Sequence, residues 1–546
     1  MPTRQQIELP DRVAPPPASV AKISSEAFRP LPCPLEASTL GIRMEKVTFT
    51  GVDGADLPEP IAQLLAEIRP AGDEAPVSHI CDLRDAAIRT LSAAGYIAGV
   101  TIPPQDITRD TRTVRLTVIP ARLVGLDVSG GGKQAARVLG QAEKLKAIYP
   151  LRTSDLEREL LLASDAPGLD VTMALVSAGT TPGDVIGRLD VRARSFEIVA
   201  NAQNYGSSAI GREMGSVRAQ FFGLTGLSDV TFIGASSTAD FEEQWTVQGG
   251  HYFTLGSGIT FGGSIVYAQS RPDIGAIDLD SQSLLAAVEA YAPVLRTVAA
   301  RVTLGGGLEL IDQESNIRGG GIAVPLTRDR LRIAFLKLNG SHRTLRRDGR
   351  EALSLAGTLQ LRQGLDILGA SQRGQADGLF LPSNLEGDPT ALVVRGGVTA
   401  RAQDGNFALL ARLEGQYSAN PLLSFEKYAV GNFTIGRGYD PAITLGDSAM
   451  GARLQPSAFM RAGKSVIEPY AFLDAVRIWN EDTFTTENGR TLTSAGLGAR
   501  LYMANRLVFD AAWARPFDKA LNIAGAERAS DRLLISLTAS FGPSGR

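Results

Sequence analysis

The stretch from Asp531 to Phe541, DRLLISLTASF, shows the pattern that decides the fold of most of this chain. Leu533 and every second residue after it up to Phe541 are apolar, and Ser536, Thr538 and Ser540 lie between them. Period-two alternation puts the two sets of side chains on opposite faces of a β-strand. The run has about the 9 to 11 residues that a tilted strand needs to cross a bilayer. It therefore predicts a membrane strand that ends at Phe541.

The same alternation recurs from about residue 194 onward, where runs of period two are separated by Gly, Asn, Asp and Ser. ALVVRGGVTARA (391–402) and NRLVFDAAWARPF (505–517) are examples. About sixteen such runs fill residues 196–541, roughly 22 residues for each strand and its connection, which suits a membrane barrel. A β-sandwich has fewer strands, and no blade-sized repeat supports a propeller. Residues 194–546 are therefore predicted to form an all-β transmembrane barrel of about 16 antiparallel strands with an aqueous lumen.

The sequence before the barrel divides into three parts. Residues 1–38 are polar and rich in proline, which favours an extended tether, with room for one short helix before Pro10. Residues 39–121 and 122–193 each combine two amphipathic helical stripes with three alternating runs in the order β-α-α-β-β. The predicted fold is therefore two α+β domains followed by a barrel.

Composition and motifs argue against several classes of function. The 55 Lys and Arg residues nearly balance the 58 Asp and Glu residues, so no bulk attraction to nucleic acid is expected. The three histidines are scattered, and no hydrolase or zinc motif is present, so we expect no catalytic residues, no metal and no cofactor. SGGGKQA (129–135) lacks the Ser or Thr that follows the lysine of a phosphate loop.

Two further features concern the N-terminal part. No run reaches the ~18 residues of a membrane helix, and no secretory signal is visible at the start, although the rest of the sequence points to export. Cys33 and Cys81 can form one disulfide in an oxidising compartment, or they can be two isolated thiols, and their spacing does not decide between these alternatives.

GNFTIGRGYDP (431–441) is unusual because an arginine stands between glycines and a tyrosine in a predicted barrel connection. Arg437 can be an exposed loop residue, or it can pair with a fixed carboxylate. Asp474 is such a carboxylate, since it lies in mid-strand on the same face as Phe472 and is costly if it faces lipid. We therefore expect Asp474 to face the lumen, where its carboxylate can form a bidentate, charge-assisted pair with the guanidinium of Arg437.

These motifs resemble those of the two-partner secretion transporters (TpsB) within the superfamily of POTRA and barrel proteins. NFTIGRGYDP (432–441) is similar to their arginine-glycine-tyrosine loop, SFEKYAVGN (424–432) to its approach, and FLDAV (472–476) to their Phe-x-Asp-x-Gly strand motif. RTLSAAGYIAGVTIPPQDI (89–107) and LRTSDLERELLLASDAPGLDV (151–171) resemble their first and second POTRA domains. This chain departs from the pattern at Gly436, where an aliphatic residue is usual, and at Val476, where glycine is usual.

The resemblance implies a bacterial outer-membrane protein whose POTRA domains lie in the periplasm. They would capture an unfolded exoprotein (TpsA) by strand addition to an exposed sheet edge, and the barrel would export it. Arg437, Gly438, Tyr439 and Asp474 would fix a loop inside the lumen, and Phe541 would be the C-terminal barrel signature. Outer-membrane lipid and the barrel assembly machinery would be its other partners. An assembly factor for other barrels is the alternative, which two POTRA domains and the tether make less favourable, and a passive porin would lack both features.

Overall fold

The computed structural model describes residues 2–7, 23–25, 28, 32–38, 40–70, 74–108, 111–179, 181–274, 277–319, 322–346, 350–483, 485, 487–503, 506–522, 525 and 527–543. These residues fall into two compact units. One lies within residues 18–193, and the other combines the chain from Arg194 onward with the N-terminal helix α1 (Arg4–Ile7). No α-helix in the described part of the chain has the length and hydropathy of a membrane-spanning helix.

The first half of the N-terminal unit packs helices against a three-stranded sheet. The unit begins with β1 (Ile23–Ser25), which joins the sheet of the second half. The elements of the first half are β2 (Gly41–Arg43), β3 (Lys46–Thr50), a 3-10 turn (Val52–Gly54), α2 (Glu59–Leu65), β4 (Glu74–Pro76), α3 (His79–Ala93), β5 (Ala98–Thr101) and β6 (Thr113–Pro120). The sheet has the order β3-β6-β5, and β2 pairs with β4. Alternate residues of β6, Val114, Leu116 and Val118, are fully buried against the helices, as the sequence pattern requires.

A disulfide joins Cys33 to Cys81, the third residue of α3. It fixes the C-terminal part of the tether covalently to the first half of this unit.

The second half of the unit repeats the order of elements around its own core. It contains β7 (Arg122–Gly130), 3-10 turns at Gly132–Gln134 and Glu143–Ala147, α4 (Ala135–Ala142), α5 (Thr153–Ser164), β8 (Leu169–Ser177) and β9 (Asp184–Ala193). Its sheet has the order β1-β8-β9-β7, so β1, the first strand of the unit in sequence, lies at one edge of this sheet. Leu156 and Leu160 of α5 pack on this sheet.

A closed antiparallel barrel of 16 strands forms most of the second unit, as the alternation predicted. The strands are β10 (Phe196–Gln203), β11 (Met214–Phe222), β12 (Asp229–Thr238), β13 (Gln244–Thr254), β14 (Thr260–Ser270), β15 (Asp273–Ile274), β16 (Ile277–Arg296), β17 (Ala300–Gly319), β18 (Ile322–Leu345), β19 (Glu351–Gly364), β20 (Leu392–Asp404), β21 (Phe407–Ser418), β22 (Tyr428–Val430), β23 (Thr444–Gly446), β24 (Ser448–Ala458), β25 (Met460–Ala462), β26 (Ser465–Trp479), β27 (Arg490–Met503), β28 (Leu507–Pro516) and β29 (Arg532–Phe541). Sixteen of these strands form the barrel wall. The short strands β15 and β25 extend hairpins of the wall and are not counted separately, and β22 and β23 pair with each other apart from the wall.

The ends of the barrel differ. Strand β10 closes the wall by pairing with β29, from Ile198 opposite Phe541 to Gln203 opposite Ser536. The rim where β10 begins has short turns such as 405–406, whereas the opposite rim has the long connections 365–391 and 419–447. Membrane barrels have this asymmetry between short and long connections.

The strand alternation sorts side chains between the outside and the lumen. On β29, Leu533 and Phe541 are exposed on the outer surface, whereas Leu534 is buried inside. On β26, the outward Leu473 is 52% exposed and the inward Asp474 is fully buried. Apolar side chains on the outer surface and a buried carboxylate such as Asp474 on the inner face are the arrangement that a lipid environment favours.

Candidate functional site

The connection between β21 and β24, residues 419–447, lies inside the barrel and is here called the lumen loop. Strands β22 and β23 pair with each other, from Tyr428 opposite Gly446 to Val430 opposite Thr444. This ribbon carries residues 431–443 at its tip. Most of the loop is buried, and its contacts are to inward-facing side chains of the wall. A loop of this length that is packed rather than solvated usually has a functional role.

Two glycines shape the tip of the lumen loop. Gly431 has φ 148° and Gly436 has φ 117°, a backbone region that other residues rarely adopt. A Cβ atom on Gly431 would lie 2.3 Å from the carbonyl oxygen of Asp440. Gly436, which departs from the family pattern of the sequence, is therefore required here by the backbone.

Asp474 holds the loop tip through its carboxylate. Its Oδ2 atom accepts hydrogen bonds from the backbone N–H groups of Gly436 (3.0 Å) and Arg437 (2.8 Å). Both carboxylate oxygens also accept from Arg453 of β24, from Nε and Nη2 at 2.7 Å each. Arg453 and Asp474 stand directly opposite each other on neighbouring strands, and both are buried. The charge pair thus presents a fixed acceptor to the loop backbone.

The predicted bidentate pair between the side chains of Arg437 and Asp474 is not what the structure describes. The guanidinium carbon of Arg437 lies 4.8 Å from the ring centre of Phe472 and 5.6 Å from that of Tyr470. Arg453 forms the bidentate pair with the Asp474 carboxylate instead, because it lies directly opposite Asp474 on the adjacent strand. Arg437 is held by aromatic faces through cation–π attraction, and its hydrogen bond to Asp474 comes from the backbone N–H.

Gly438 and Tyr439 fix the loop tip to the next strands. The Gly438 N–H donates to Ser494 Oγ of β27 (3.3 Å), and a Cβ atom on Gly438 would lie 2.8 Å from Ser494 Cβ. The Tyr439 ring is fully buried, and its hydroxyl donates to the carbonyl oxygen of Thr493 (2.9 Å). The loop therefore approaches β27 so closely that only glycine fits at position 438.

Val476, the other departure from the family pattern, packs against the loop. It is 1% exposed and belongs to an apolar cluster with Ile435, Tyr439 and Val430. Its side chain fills the space that a glycine would leave beside the loop, so the substitution adds apolar contact rather than preventing the loop from packing.

Sequence reasoning missed several charged residues that hold the loop. Besides Arg453, Arg532 of β29 contacts Asp440 (2.9 Å) and donates to the Tyr439 carbonyl oxygen (2.9 Å). Arg212 reaches Asp440 from the 204–213 connection (2.9 Å). A charge in the middle of a membrane strand is costly if it faces lipid, and this holds for Arg453 as it does for Asp474. The inward position of Arg453 could therefore have been predicted from the sequence.

Helix α1 also lies in the lumen, between the lumen loop and the wall. Ile7 is buried in an apolar cluster that includes Val266 of β14, Ile311 of β17 and Phe425 of the loop. Gln313 donates to the carbonyl oxygen of Pro2 (2.9 Å). A four-residue helix is not stable alone in water, so these contacts determine its position.

A buried ionic cluster connects α1 to both the wall and the loop. Arg4 contacts Glu309 of β17 at 2.6 Å and Glu426 of the lumen loop at 3.5 Å. Arg362 of β19 bridges the same two carboxylates at 2.7 and 2.9 Å, and Arg395 of β20 reaches Glu426 at 3.1 Å. Three arginines and two carboxylates in one network compensate charges that would be costly if unpaired.

A chamber of about 710 Å³ lies between the loop tip and the wall from β17 to β21. Its lining is mostly polar or small, including Thr303, Asn339, Ser341, Thr358 and Gly397. In the described part of the chain, no cluster of three or more His, Cys, Asp or Glu side chains could hold a metal ion.

Comparisons of sequence give two matches. A family model described as haemolysin secretion/activation protein ShlB/FhaC/HecB matches residues 188–501. Outer membrane transporter CdiB-2 of Burkholderia pseudomallei (strain 1026b) is 23% identical over 441 residues, which cover 76% of this chain and 69% of that protein.

Solved structures with low sequence identity share the fold. CdiB from Escherichia coli superimposes with a TM-score of 0.70 at 14% identity, covering 95% of this chain and 94% of that one. CdiB from Acinetobacter baumannii gives 0.62 at 14% identity, with 96% and 95% covered. BamA from Haemophilus ducreyi lacking POTRA domains 1-3 gives 0.54 at 14% identity, with 92% and 100% covered.

Proposed function

Because this chain belongs to the haemolysin secretion/activation family ShlB/FhaC/HecB, a family of two-partner secretion transporters of the outer membrane, we propose that it exports one partner exoprotein. The exoprotein would be recognised in the periplasm in an unfolded state and passed through the barrel lumen to the cell surface. The observation that carries the proposal is a barrel of 16 strands whose interior holds a packed loop and a short N-terminal helix.

The lumen has the chemistry that passage of an unfolded chain requires. A barrel of 16 strands encloses an aqueous channel, and the chamber beside the loop is lined by small and polar groups. Such a lining offers few apolar surfaces on which an extended polypeptide would stick. The lumen loop and α1 occupy other parts of the same interior.

Helix α1 would have to leave the lumen before export. It is held by one buried apolar side chain, Ile7, by the pairs from Arg4, and by hydrogen bonds that Gln313 and Gln244 donate to the backbone of Pro2 and Gln6. The loop tip, in contrast, contacts four wall strands. When α1 departs, Arg362 and Arg395 still compensate Glu309 and Glu426. Its exit therefore leaves no isolated buried charge, which keeps its cost low.

The roles of the other predicted regions form part of the proposal. Residues 39–121 and 122–193 would be POTRA domains 1 and 2, residues 1–38 the tether and residues 194–546 the barrel. The Arg437, Gly438, Tyr439 and Asp474 contacts would set the resting position of the lumen loop, and Phe541 would signal insertion by the barrel assembly machinery into outer-membrane lipid. Export needs no catalytic residue, cofactor or nucleic acid in this scheme.

Deletion of the gene tests the proposal directly. We expect one large protein to disappear from the culture medium, while the set of outer-membrane barrels stays unchanged. A general loss of barrels from the outer membrane would instead indicate an assembly factor, and an unchanged set of secreted proteins would contradict export.

A further inference from the structure

One side of the barrel lumen carries a band of positive charge between the chamber and the rim with short turns. Its five members lie on β17, β18, β20 and β21 and are together called the basic stripe: Arg301, Lys337, Arg343, Arg401 and Arg412. Arg301 and Arg412 line the chamber itself. Each of the other three lies two positions along its strand from a residue that lines the chamber, so period-two alternation puts it on the same inward face.

Most of this charge is not compensated by carboxylates. Among the described residues that line the chamber, Glu414 is the only carboxylate, and it pairs with Arg412. Arg343 donates instead to a backbone carbonyl oxygen (2.9 Å), and Arg401 packs over an aromatic ring. The described part of the chain brings no carboxylate within ion-pair distance of Lys337, Arg343 or Arg401. The stripe is therefore strongly positive, although the whole chain has a formal net charge of −3.

The opposite side of the lumen does not share this charge. On β26, β27 and β28, Arg500 contacts Glu468 at 3.1 Å and Asp510 at 2.9 Å, so two carboxylates surround one arginine. A cleft with one charged side and walls of low dielectric focuses the electric field. An anionic chain in the lumen is therefore drawn toward β17–β21 and away from β26–β28.

The dimensions of the stripe suit an extended polypeptide. Lys337 and Arg343 lie six residues apart on β18, which corresponds to about 20 Å at the rise of a β-strand. An extended chain has a similar rise, so about six of its residues would lie beside the stripe. Asn339 and Ser341, which line the chamber between these two cations, offer hydrogen bonds that any backbone can use.

The position of the stripe places it at the entrance to the lumen. Membrane barrels have their short turns on the periplasmic side, and the stripe extends from the chamber toward that rim. A chain that enters from the periplasm meets these cations before it reaches the lumen loop and α1.

We propose that the basic stripe binds acidic segments of the exoprotein while they are extended in the lumen, so that the substrate class of this transporter is an acidic, unfolded polypeptide. The proposal rests on the proposed function and adds charge selectivity to it. Carboxylates of the segment pair with the guanidinium and ammonium groups of the stripe. Since solvated ion pairs are individually weak, a segment held by several of them still moves onward through the lumen.

The first test compares two fluorescent ten-residue peptides, acidic EGESEGESEG and neutral QGQSQGQSQG, on the full-length transporter in detergent. We expect the acidic peptide to bind at least tenfold more tightly at low salt, measured by anisotropy. This preference should disappear in about 1 M salt, where the Debye length falls to about 3 Å. Equal affinities for both peptides at low salt would overturn the proposal.

Variants then locate the binding. Lys337→Gln with Arg401→Gln removes two charges of the stripe and should weaken binding of the acidic peptide about tenfold. Lys337→Arg with Arg401→Lys keeps both charges and should bind it as the wild type does. The control, Arg115→Gln with Arg188→Gln, makes the same change in net charge at exposed positions of β6 and β9 and should have no effect. Wild-type affinity in the first variant, or an equal loss in the control, would overturn the stripe as the site.

A competition experiment tests the exoprotein as the occupant. The competitors are synthetic peptides with the most acidic and the least acidic segment of the exoprotein that disappears from the medium of the deletion strain. The acidic segment should displace the fluorescent peptide, and the other should leave it bound. Displacement by both segments or by neither would overturn the exoprotein as the ligand. Failure of the proposed function is a separate result, because it is read from the secreted proteins, whereas binding of the first two peptides needs no exoprotein.

Discussion

Asp474 is the residue on which the position of the loop tip depends most. Its carboxylate accepts two hydrogen bonds from Arg453 and two from backbone N–H groups of the loop. Every residue except proline has a backbone N–H, so these two hydrogen bonds fix the position of the loop without requiring a particular side chain at position 436 or 437. Arg437 adds a second, separate interaction with Phe472 and Tyr470.

A double-mutant cycle distinguishes the observed pairing from the one predicted by sequence. Arg453→Ala and Asp474→Ala should couple by about 2 to 3 kcal/mol in the free energy of unfolding, because each leaves the other charge buried and unpaired. Arg437→Ala and Asp474→Ala should couple more weakly, because the two side chains share no hydrogen bond and the backbone contact survives when Arg437 becomes alanine. Urea unfolding of the barrel in detergent measures both, and the opposite order of couplings would contradict the structure.

Arg437→Ala should weaken export while the barrel still assembles. The loss of cation–π attraction to two rings costs about 0.5 to 2 kcal/mol, which loosens the loop tip without breaking the Asp474 contact. Export is measured as secreted exoprotein per heat-modifiable, folded barrel. Arg477→Ala is the control, because that arginine lies on the exposed face of β26, the strand that carries both rings, and contacts Trp479. Undiminished export by Arg437→Ala would show that the arginine has no role in positioning.

At the scale of elements, the lumen loop and α1 differ in how they are held. The loop is joined to the wall at both ends and leaves no room for a side chain at Gly438. Helix α1 is held by one apolar side chain, one ionic cluster and two hydrogen bonds from glutamines of the wall. We therefore expect the loop to be the permanent feature of the lumen and α1 the exchangeable one.

Gly438→Ala should displace the loop tip from β27 and β28. The new methyl group would lie 2.8 Å from both Ser494 Cβ and the Pro516 backbone nitrogen, so overpacking should cost about 1 to 3 kcal/mol. Gly340→Ala is the matched control, because nothing lies within 4 Å of a Cβ at that position of β18. The midpoint of thermal unfolding reports both variants. Equal midpoints would mean that the loop does not pack as the structure describes.

Arg4→Ala should raise the open probability of the barrel. The change removes the contacts of α1 with Glu309 and Glu426, while both carboxylates keep their wall arginines. Single-channel conductance in a planar bilayer measures the effect. Arg112→Ala removes an equally charged but exposed residue of the N-terminal unit and should leave conductance unchanged. An equal open probability for the Arg4→Ala and Arg112→Ala variants would contradict a lumen position for α1.

The elements were predicted from the sequence more completely than the contacts. Alternation in runs such as 531–541 identified the barrel strands because burial on one face and lipid on the other impose period two. The partner of Asp474 was missed because the alignment of β24 with β26 depends on hydrogen-bond register, which the residues of one strand do not reveal. The position of α1 was missed for a related reason, since its apolar contact is a single isoleucine and carries no periodic signal.

At the scale of the whole molecule, the Cys33–Cys81 disulfide is the one covalent link between distant parts of the described chain. We expect both thiols to resist maleimide in the native, unreduced protein and to react only after reduction and unfolding. Gel shift with a polymer-linked maleimide measures the number of free thiols. Cys33→Ser leaves Cys81 alone, which is buried in the folded protein, and should label once after unfolding without reductant. Labelling of both cysteines in the unreduced wild type would exclude the link.

The disulfide also sets a limit on how far α1 can diffuse. About 25 residues separate Ile7 from Cys33, so a released helix travels no more than roughly 85 Å from its attachment point. Confinement of this kind gives an effective concentration in the millimolar range. A helix that binds the empty lumen weakly would then still return to it after each passage. The transporter would reseal itself by tethered rebinding, at a rate independent of the number of transporters in the membrane.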